Sequence, residues 1–333
     1  SINIPDQFNF GFDIVAKRAT DADKTALIAI KRENDSVKKY NYSDLDKQSN
    51  RFANALLNLG VQKGDAALVV LPRIAEWYFV ILGCTKIGAI AMPGTNLLTA
   101  KDLEYRIQRS NAKIAIVTKS HARAIEDIKL NCPSLEHLII VGSDRDGWES
   151  FERLCLNFPE NVNRSLFPTT MANDLMLIYF TSGTTAAPKM VGQDHGYSLA
   201  HMITAKYWMN LQEEDVHWTL TDTGWAKAAW GLLYPPLLMG SSIIVYEGDG
   251  FDVESHLRII EEQKVSTFCA PPTIYRMLAQ ADISGFDLSS LRHCIGAGEP
   301  LNPEAMRAWK QNTGCDIFDG YGQTETVNIV ANF

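Results

Sequence analysis

Short aliphatic and β-branched runs alternate with amphipathic segments of helical length along most of this chain. One amphipathic segment follows Ser43, which we expect to be the N-cap of a helix, with Asp46 three residues later. Gly60 is expected to end this helix. Its apolar positions recur at the spacing of one helix face, at Leu45, Phe52, Leu56 and Leu59.

The same pattern predicts further elements on both sides of the middle of the chain. The predicted strands are Ala66–Leu71, Ile90–Met92, Lys113–Thr118, Leu138–Val141, Leu175–Phe180, Ile243–Tyr246, Val265–Cys269, Cys294–Gly296 and Ile317–Asp319. The predicted helices are Ile74–Gly88, Lys101–Arg109, Tyr197–Met209, Val253–Gln263 and one that begins after the cap Asn302 with Pro303 in its first turn.

Alternation of strands and helices is the pattern of βαβ units, so the fold class is α/β. We expect two doubly wound, mostly parallel lobes packed together: residues 1–165 with the N-terminal strands and helices, and residues 166–333 with the candidate ligand-binding motifs. The polar connection Pro159–Ala172 marks an approximate boundary, and the lobes are free to exchange segments.

Charge and cysteine usage narrow the function classes. The formal net charge is −8, so the chain as a whole repels polyanions and nucleic acid is excluded as an expected partner. The six cysteines form no CxxC pair and no dense framework, which favours reduced thiols and a cytoplasmic location. Apolar runs are too short to span a bilayer, and Ser1–Gly11 lacks the basic-then-apolar order of a signal peptide. The sequence leaves open whether the chain forms a homo-oligomer.

The most informative segment is Tyr179–Lys189, which follows a predicted strand and reads YFTSGTTAAPK. Gly183 permits close approach of the main chain to a ligand, and Lys189 adds a mobile cation. Gly183 is flanked in sequence by four hydroxyl side chains able to donate to an oxyanion, those of Thr181, Ser182, Thr184 and Thr185. The spacing is not that of a Walker P-loop, and a Ser/Thr-rich surface turn is the alternative.

Three later segments have an unusual composition. Gly296–Pro300 (GAGEP) follows a short strand, and its small residues would let a flat aromatic ligand lie on the main chain. Asp319–Glu325 (DGYGQTE) combines an aromatic ring, a hydroxyl and a carboxylate. Asp222–Trp225 (DTGW) places a tryptophan after a turn. The alternatives are a structural glycine turn, a buried tyrosine with a solvated glutamate, and a core tryptophan.

In their order along the chain, which is the Tyr179–Lys189 loop, DTGW, GAGEP and DGYGQTE, the four segments resemble the adenylate-forming superfamily, which includes acyl-CoA synthetases, firefly luciferase and the adenylation domains of peptide synthetases. The likeness spans nearly the whole chain and is greatest to medium-chain acyl-CoA synthetases. It also includes Trp77–Met92, Met92–Thr95 and Ala270–Leu278. The phosphate loop departs from the family pattern at Ala186, where glycine is usual, and the added methyl group restricts the loop.

The resemblance implies ATP-dependent activation of a carboxylic acid to an acyl adenylate, followed by thioester formation with coenzyme A. It implies that Trp225, Gly298 and Gly322 contact the substrate, and that Glu325 binds Mg²⁺. It assigns catalysis to Thr184, Lys189, Thr324 and Glu325. It assigns ATP binding to Thr181, Ser182, Gly183, Thr184, Thr185, Lys189, Gly298, Glu299, Pro300, Asp319, Gly320, Tyr321, Gly322, Gln323 and Thr324.

Gly322 stands where acetyl-CoA synthetases carry a tryptophan, so this position is expected to be open and to admit an acyl group longer than acetyl. The family's ribose-binding aspartate, hinge arginine and catalytic lysine would lie beyond Phe333, in a C-terminal domain. The resemblance therefore implies a large N-terminal part with an incomplete β-barrel lobe and little activity alone. Two alternatives stay open: an acyl or aryl adenylation enzyme that loads a carrier protein, and a noncatalytic nucleotide-binding remnant.

Overall fold

The computed structural model describes residues 2–21, 23–181, 187–248 and 250–332. The strands in these ranges are β1 (Thr25–Lys31), β2 (Ser36–Asn41), β3 (Ala66–Val70), β4 (Ile90–Pro93), β5 (Ile114–Thr118), β6 (His137–Val141), β7 (Glu149–Ser150), β8 (Leu175–Thr181), β9 (Lys189–Asp194), β10 (Val216–Thr219), β11 (Ser242–Glu247), β12 (Thr267–Ala270), β13 (His293–Ala297), β14 (Ile317–Gln323) and β15 (Val327–Ala331).

The α-helices are α1 (Ala16–Arg18), α2 (Tyr42–Asn58), α3 (Ala75–Ile87), α4 (Ala100–Ser110), α5 (Lys119–Ile128), α6 (Phe151–Leu156), α7 (His195–Ala200), α8 (Ala226–Ala228), α9 (Tyr234–Met239), α10 (Val253–Glu262), α11 (Pro272–Gln280) and α12 (Pro303–Thr313). Short π-helical turns span Gly11–Val15, Thr204–Trp208 and Ala229–Leu233, and 3₁₀ turns span Lys129–Asn131 and Arg164–Leu166.

The strands of the described residues form two mostly parallel sheets, which confirms the α/β class. The first sheet has the order β7-β6-β5-β3-β4-β8-β9, and in it only β9 pairs antiparallel to its neighbour. The second has the order β15-β14-β13-β12-β10-β11-β1-β2, with β14 and β15 antiparallel. Central strands such as β3 are buried at every position, as expected for a sheet covered on both faces.

Two compact units carry these sheets, and their limits differ from the predicted ones. The first consists of residues 1–24, 40–199 and 222–226, and the second of residues 25–39, 200–221 and 227–333. These limits differ from the approximate boundary expected near residue 165, because β8 and β9 complete the first sheet while β1 pairs with β11 of the second. No strand of the described ranges forms the separate partial barrel lobe that the resemblance implied.

The predicted N-terminus of α2 was two residues too late. Asn41, not Ser43, caps this helix: its side chain accepts a hydrogen bond from the amide of Asp44, and the Asp44 carboxylate accepts one from the Asn41 amide. This reciprocal capping box satisfies two amide groups that the first helical turn leaves without partners. At the other end, Gly60 has φ +83°, so its predicted role in ending the helix is confirmed.

Two other predicted elements differ from the structure. The segment expected to be one helix over Tyr197–Met209 is divided into α7 and a π-helical turn at Thr204–Trp208. The strand expected to stop at Asp319 continues to Gln323, so most of the DGYGQTE segment is strand rather than turn. Asn302 and Pro303 do open α12 as predicted. Within the described ranges, no helix combines the length and hydropathy required to cross a bilayer.

Candidate functional site

The predicted phosphate loop connects the two strands of a β-hairpin in the first unit. Thr181 at the end of β8 pairs in register with Lys189 at the start of β9, which fixes both ends of the loop. Ser182, Gly183, Thr184, Thr185 and Ala186 lie outside the described residues. Their predicted contacts with phosphate, and the effect of the alanine, therefore stay predictions.

Helix α4 supports the base of this hairpin. The Tyr105 hydroxyl donates a hydrogen bond of 2.9 Å to the carbonyl oxygen of Pro188. The Tyr105 ring also packs edge-on against Phe180, with 6.0 Å between centroids, and the Arg106 guanidinium lies 5.0 Å from the centroid of the same Phe180 ring. The loop thus leaves the sheet from a fixed base, which is the arrangement a phosphate-binding loop requires.

The DTGW segment also belongs to the first unit. The buried Thr223 hydroxyl donates to the carbonyl oxygen of Leu71, which follows β3, at 2.5 Å. Gly224 lies directly on the main chain that follows β4: a methyl group at Gly224 would be 2.0 Å from the amide nitrogen of Thr95. Trp225, the next residue, is 55% exposed, so the interpretation as a core tryptophan is wrong.

These segments meet at one edge of the first sheet. Strands β3, β4 and β8 are parallel neighbours, so Leu71, Gly94 and Thr181 all lie at carboxyl ends. Ligands of open α/β sheets bind outside this edge. The structure therefore brings Trp225 and the hairpin base to the same edge from segments more than thirty residues apart in sequence.

In the second unit, the GAGEP segment starts at the carboxyl end of β13. Gly298 has φ +113°, in the region that favours glycine, and a methyl group there would meet no atom within 4 Å. The glycine thus leaves open space beside the main chain, and contact with a flat aromatic ligand stays a prediction. Glu299 is exposed and lies 3.7 Å from Arg276, measured between carboxylate oxygen and guanidinium nitrogen, and Pro300 is exposed as well.

The DGYGQTE segment lies beside it on β14. Gly320 pairs with Ala297 of β13, so the segment follows the same carboxyl edge. A methyl group at Gly320 would lie 2.3 Å from the Trp208 ring, so glycine is required by packing here. Burial raises the pKa of the Asp319 carboxyl above its usual value. The Tyr321 ring is 59% exposed, available for stacking, and its hydroxyl accepts a hydrogen bond of 3.3 Å from the Gln323 amide.

Gly322 is not the open position that the sequence suggested. A methyl group there would lie 1.8 Å from the carbonyl oxygen of Val327, across the hairpin between β14 and β15. The main chain of β15 fills the space that a side chain would need, so close strand pairing accounts for the glycine. The expectation of an open pocket at this point is wrong, and a contact between Gly322 and substrate stays a prediction.

Thr324 and Glu325 occupy the turn of this hairpin, which the Thr326 amide closes with a hydrogen bond of 3.1 Å to the Gln323 carbonyl. Glu325 is exposed. No group of three or more His, Cys, Asp or Glu side chains that could hold a metal occurs in the described ranges. A single carboxylate still suits Mg²⁺, which in nucleotide sites takes one or two carboxylates and completes its shell with phosphates and water.

Sequence reasoning missed one cation at the edge of the second sheet. The Lys227 ammonium lies 3.4 Å from the carbonyl oxygen of Ala297, at the end of β13. It also lies 5.6 Å from the centroid of the Trp230 ring. In the residues that the structure describes, no carboxylate forms an ion pair with it. In the sequence, Lys227 is only a lysine two positions after Trp225. Nothing in the sequence indicates that it lies beside Ala297, so the sequence could not identify it as a candidate.

Comparison with known proteins places these features in a family. The sequence model of the family described as AMP-binding enzyme matches residues 14–333. The chain is 37% identical to the rat acyl-coenzyme A synthetase ACSM3, mitochondrial, over 341 residues that cover 100% of this chain and 58% of the relative.

Two solved structures are similar as well. The anthranilate CoA ligase AuaEII in complex with anthranoyl-AMP aligns with a TM-score of 0.88 at 31% identity, over 97% of this chain and 61% of that one. An acyl-CoA synthetase from Brucella canis aligns with a TM-score of 0.89 at 28% identity, over 100% of this chain and 60% of that one. This chain thus spans about three fifths of the length of its relatives. Because the family match extends over nearly every residue, the chain belongs to the AMP-binding enzyme family.

Proposed function

We propose that the protein to which this chain belongs activates a medium- or short-branched-chain carboxylic acid with ATP and transfers the acyl group to coenzyme A. The chain would supply the parts that bind nucleotide and acyl group. In the first reaction, a carboxylate oxygen attacks the α-phosphorus, the bond to the β-phosphate breaks, and pyrophosphate leaves. In the second, the thiolate of coenzyme A attacks the acyl carbon and AMP leaves.

One observation carries this proposal: in both units, the motif residues lie at the carboxyl ends of parallel strands. Thr181 and Trp225 do so in the first unit, and Gly298 and Tyr321 in the second. Within each unit, this is the edge of an open α/β sheet at which ligands bind. The family match and the acyl- and aryl-CoA ligases among the relatives support acid activation as the use of these edges.

The proposed chemistry needs no side-chain nucleophile or base, because a carboxylic acid is already ionised near neutral pH. It needs cations and oriented donors that hold two anions together and stabilise a crowded phosphorane. Thr181, Lys189 and the Ser182–Thr185 segment would bind phosphates, and Thr324 would donate to the α-phosphate or the acid. Glu325 would hold Mg²⁺, which supplies charge neutralisation. Gly298, Glu299, Pro300 and Asp319 to Gln323 would surround the adenine.

Three further expectations concern turnover, the acyl acceptor and the compartment. Low turnover by this chain alone is expected, since its relatives are longer. Coenzyme A as acceptor, rather than a carrier protein, is favoured by the names of the relatives. The cysteines favour a reducing compartment, for which we retain the cytoplasm although the rat relative is named mitochondrial. Detection of acyl-CoA against acyl-carrier product by the full-length protein would decide the acceptor.

Binding of an acyl-adenylate analogue tests the proposed function without requiring turnover. We expect the chain to bind hexanoyl-sulfamoyl adenosine with one-to-one stoichiometry in a calorimetric titration. Tyr321→Ala should weaken this binding about tenfold or more, because stacking on an aromatic ring contributes roughly 1–3 kcal/mol per base. Absence of binding of the analogue, ATP and AMP to the unsubstituted chain would overturn the proposal.

Tyr207→Ala is a matched control for this experiment. Tyr207 belongs to the same unit and is 58% exposed, against 59% for Tyr321, but it lies in the π-helical turn outside the motif. It should leave the dissociation constant unchanged. An equal loss in both variants would mean that Tyr321 has no specific role.

Lys227 is expected to contribute to binding of the same analogue. Replacing it by methionine keeps the apolar stem but removes the ammonium beside Ala297, and binding should weaken about tenfold, the value of one charge-assisted hydrogen bond. Lys206→Met is the control, since Lys206 also lies over an aromatic ring, that of Tyr207 at 5.8 Å, and has no motif beside it. A calorimetric titration in which both variants bind like the unsubstituted chain would exclude this role for Lys227.

A further inference from the structure

The DTGW segment is held in the first unit although the chain on both sides of it belongs to the second. Residues 222–226 are assigned to the first unit, and residues 200–221 and 227–333 to the second. Five residues have too little surface to bury a hydrophobic core of their own. Their position must therefore depend on a few specific contacts, and the structure shows which ones.

The first contact is a buried hydrogen bond. Thr223 is 2% exposed, and its hydroxyl donates to the carbonyl oxygen of Leu71 at 2.5 Å. Leu71 lies just after β3, a strand that is paired on both sides by β4 and β5. This carbonyl is thus held by one of the most constrained strands of the sheet. Loss of the hydroxyl would leave a buried acceptor without its partner, which is unfavourable.

The second contact is close packing of main chain on main chain. Gly224 lies so near Gly94 and Thr95 that no side chain fits between them. The Gly224 amide also donates to the Asp222 carboxylate at 2.8 Å, which makes a tight turn within the segment. Together, the Thr223 hydroxyl and the bare Gly224 main chain fix the segment at the carboxyl ends of β3 and β4.

Trp225 is placed by its neighbours rather than by its own packing. The residue is 55% exposed, whereas tryptophan is usually well covered, so little packing of its own side chain holds it and we infer that the preceding turn sets its position. Trp225 follows Gly224 directly, so its main chain lies at the carboxyl ends of β3 and β4, and an exposed apolar side chain at this edge suits a hydrocarbon chain.

We propose that Thr223 is a positioning residue that determines acyl-chain selectivity by fixing Trp225 through its hydrogen bond to the Leu71 carbonyl. Thr223 does not itself contact the acid, because its side chain is buried against the strand. This inference rests on the proposed function for its substrate class. The anchoring of Trp225 by Thr223 does not depend on that function and has a separate measurement.

The test compares Thr223→Val, which has nearly the same shape without the hydroxyl, with Thr223→Ser, which keeps it. Thr85→Val is the matched control: the Thr85 hydroxyl is also buried in the first unit and donates to a carbonyl, that of Ile81, at 2.8 Å. Trp225→Ala shows the effect of removing the ring. Each variant is titrated with hexanoyl- and acetyl-sulfamoyl adenosine, and the ratio of the two dissociation constants is the readout.

Thr223→Val and Trp225→Ala should both reduce the preference for the hexanoyl analogue, by about fivefold, or roughly 1 kcal/mol. Thr223→Ser should retain the preference, and Thr85→Val should retain it while lowering the midpoint of thermal unfolding. A lowered midpoint in Thr223→Val with an unchanged ratio would mean a merely structural role and would overturn the proposal. An unchanged ratio in Trp225→Ala would overturn it as well.

Fluorescence separates this inference from the proposed function. Of the seven tryptophans, Trp225 is the exposed one, and five of the others are buried. The contribution of Trp225 to the nanosecond decay of fluorescence anisotropy is the part of the amplitude that is lost in Trp225→Phe. This contribution should rise about twofold in Thr223→Val, where the ring moves more freely, and remain unchanged in Thr223→Ser. If the unsubstituted chain bound neither analogue, the proposed function would fail, and the anisotropy comparison alone would support or overturn the anchoring.

Discussion

Replacement of Gly224 by alanine is expected to destabilise the first unit by about 3 kcal/mol or more, the upper range for forcing extra atoms into a packed site. The added methyl group would lie 2.0 Å from the Thr95 amide nitrogen and 2.2 Å from the Gly94 carbonyl carbon. Both are main-chain atoms of the segment after β4, so a change of rotamer cannot relieve the overlap. Either the DTGW segment or the end of β4 must move.

Urea unfolding followed by circular dichroism measures this loss, with Gly285→Ala as the control. Gly285 lies in the second unit, and a methyl group there would meet no atom within 4 Å. Its substitution should leave the midpoint unchanged or raise it slightly, because alanine restricts the unfolded chain. Unfolding of Gly224→Ala at the midpoint of the unsubstituted chain would contradict the close approach on which the DTGW placement depends.

Most strands and helices could be predicted because their signals are local. Runs such as Ala66–Leu71 and Ile243–Tyr246 are apolar throughout, and the structure confirms both as buried strands with bounds that differ by one residue. The helix after Asn302 was also predictable from a cap and a proline in its first turn. These patterns act within one element, so they need no knowledge of the partner strand.

The cap of α2 shows where local signals compete. Both Asn41 with Asp44 and Ser43 with Asp46 fit the spacing of a capping box, and the sequence alone does not rank them. Pairing of β2 up to Asn41 ends the extended chain at that residue, so the helix starts at Tyr42. Tertiary pairing thus decided between two equivalent caps.

The assignment of segments to the two units could not be predicted for a similar reason. Thr25–Lys31 is close in sequence to the first unit but pairs with Ser242–Glu247, more than two hundred residues later. The DTGW segment does the opposite, since it leaves the second unit to lie on Leu71 and Gly94. Such exchanges depend on which edges remain unpaired after folding, and no local pattern contains that information.

The candidate site was predictable in its composition but less so in its geometry. The glycines of DGYGQTE suggested an open turn, whereas Gly320 and Gly322 are accounted for by the Trp208 ring and by the Val327 carbonyl. The glycines thus indicated that another group packs closely against the main chain, but the sequence did not show whether that group is a ligand or another part of the protein. Lys227 had no motif around it in sequence and gained a candidate role only from its distance to Ala297.

Acidification from pH 7 to pH 4.5 is expected to destabilise the protein by several kcal/mol, because buried histidines must gain protons on unfolding. Burial lowers the pKa of His195 and that of His217 to about 4 each, and that of His201 to about 3, from an ordinary value of 6.5. His217 is held neutral with one ring nitrogen 3.0 Å from the Gly231 carbonyl, to which it donates, so the other accepts from Thr267.

Proton linkage determines whether acid raises or lowers the free energy of unfolding. Between pH 6.5 and about pH 4, the unfolded chain binds protons at these histidines while the folded chain does not, so stability falls as the pH falls through this window. Above pH 6.5 both states are neutral and the contribution is complete. For His195 and His217, the difference between a pKa of 6.5 and one of about 4 corresponds to roughly 3 kcal/mol each as an upper value, and the difference at His201 is larger.

Urea unfolding at intervals between pH 7 and pH 4.5 measures the slope, and His195→Leu identifies one contributor. His195 is fully buried, and neither ring nitrogen has a hydrogen-bond partner in the described residues, so leucine replaces it without leaving a partner unsatisfied. The slope of this variant should be smaller by up to about 1.4 kcal/mol per pH unit, the value for one proton. Gly285→Ala, which changes no titratable side chain, is the control and should keep the original slope. Equal slopes in His195→Leu and the unsubstituted chain would mean that His195 is protonated in the folded state as readily as in the unfolded one.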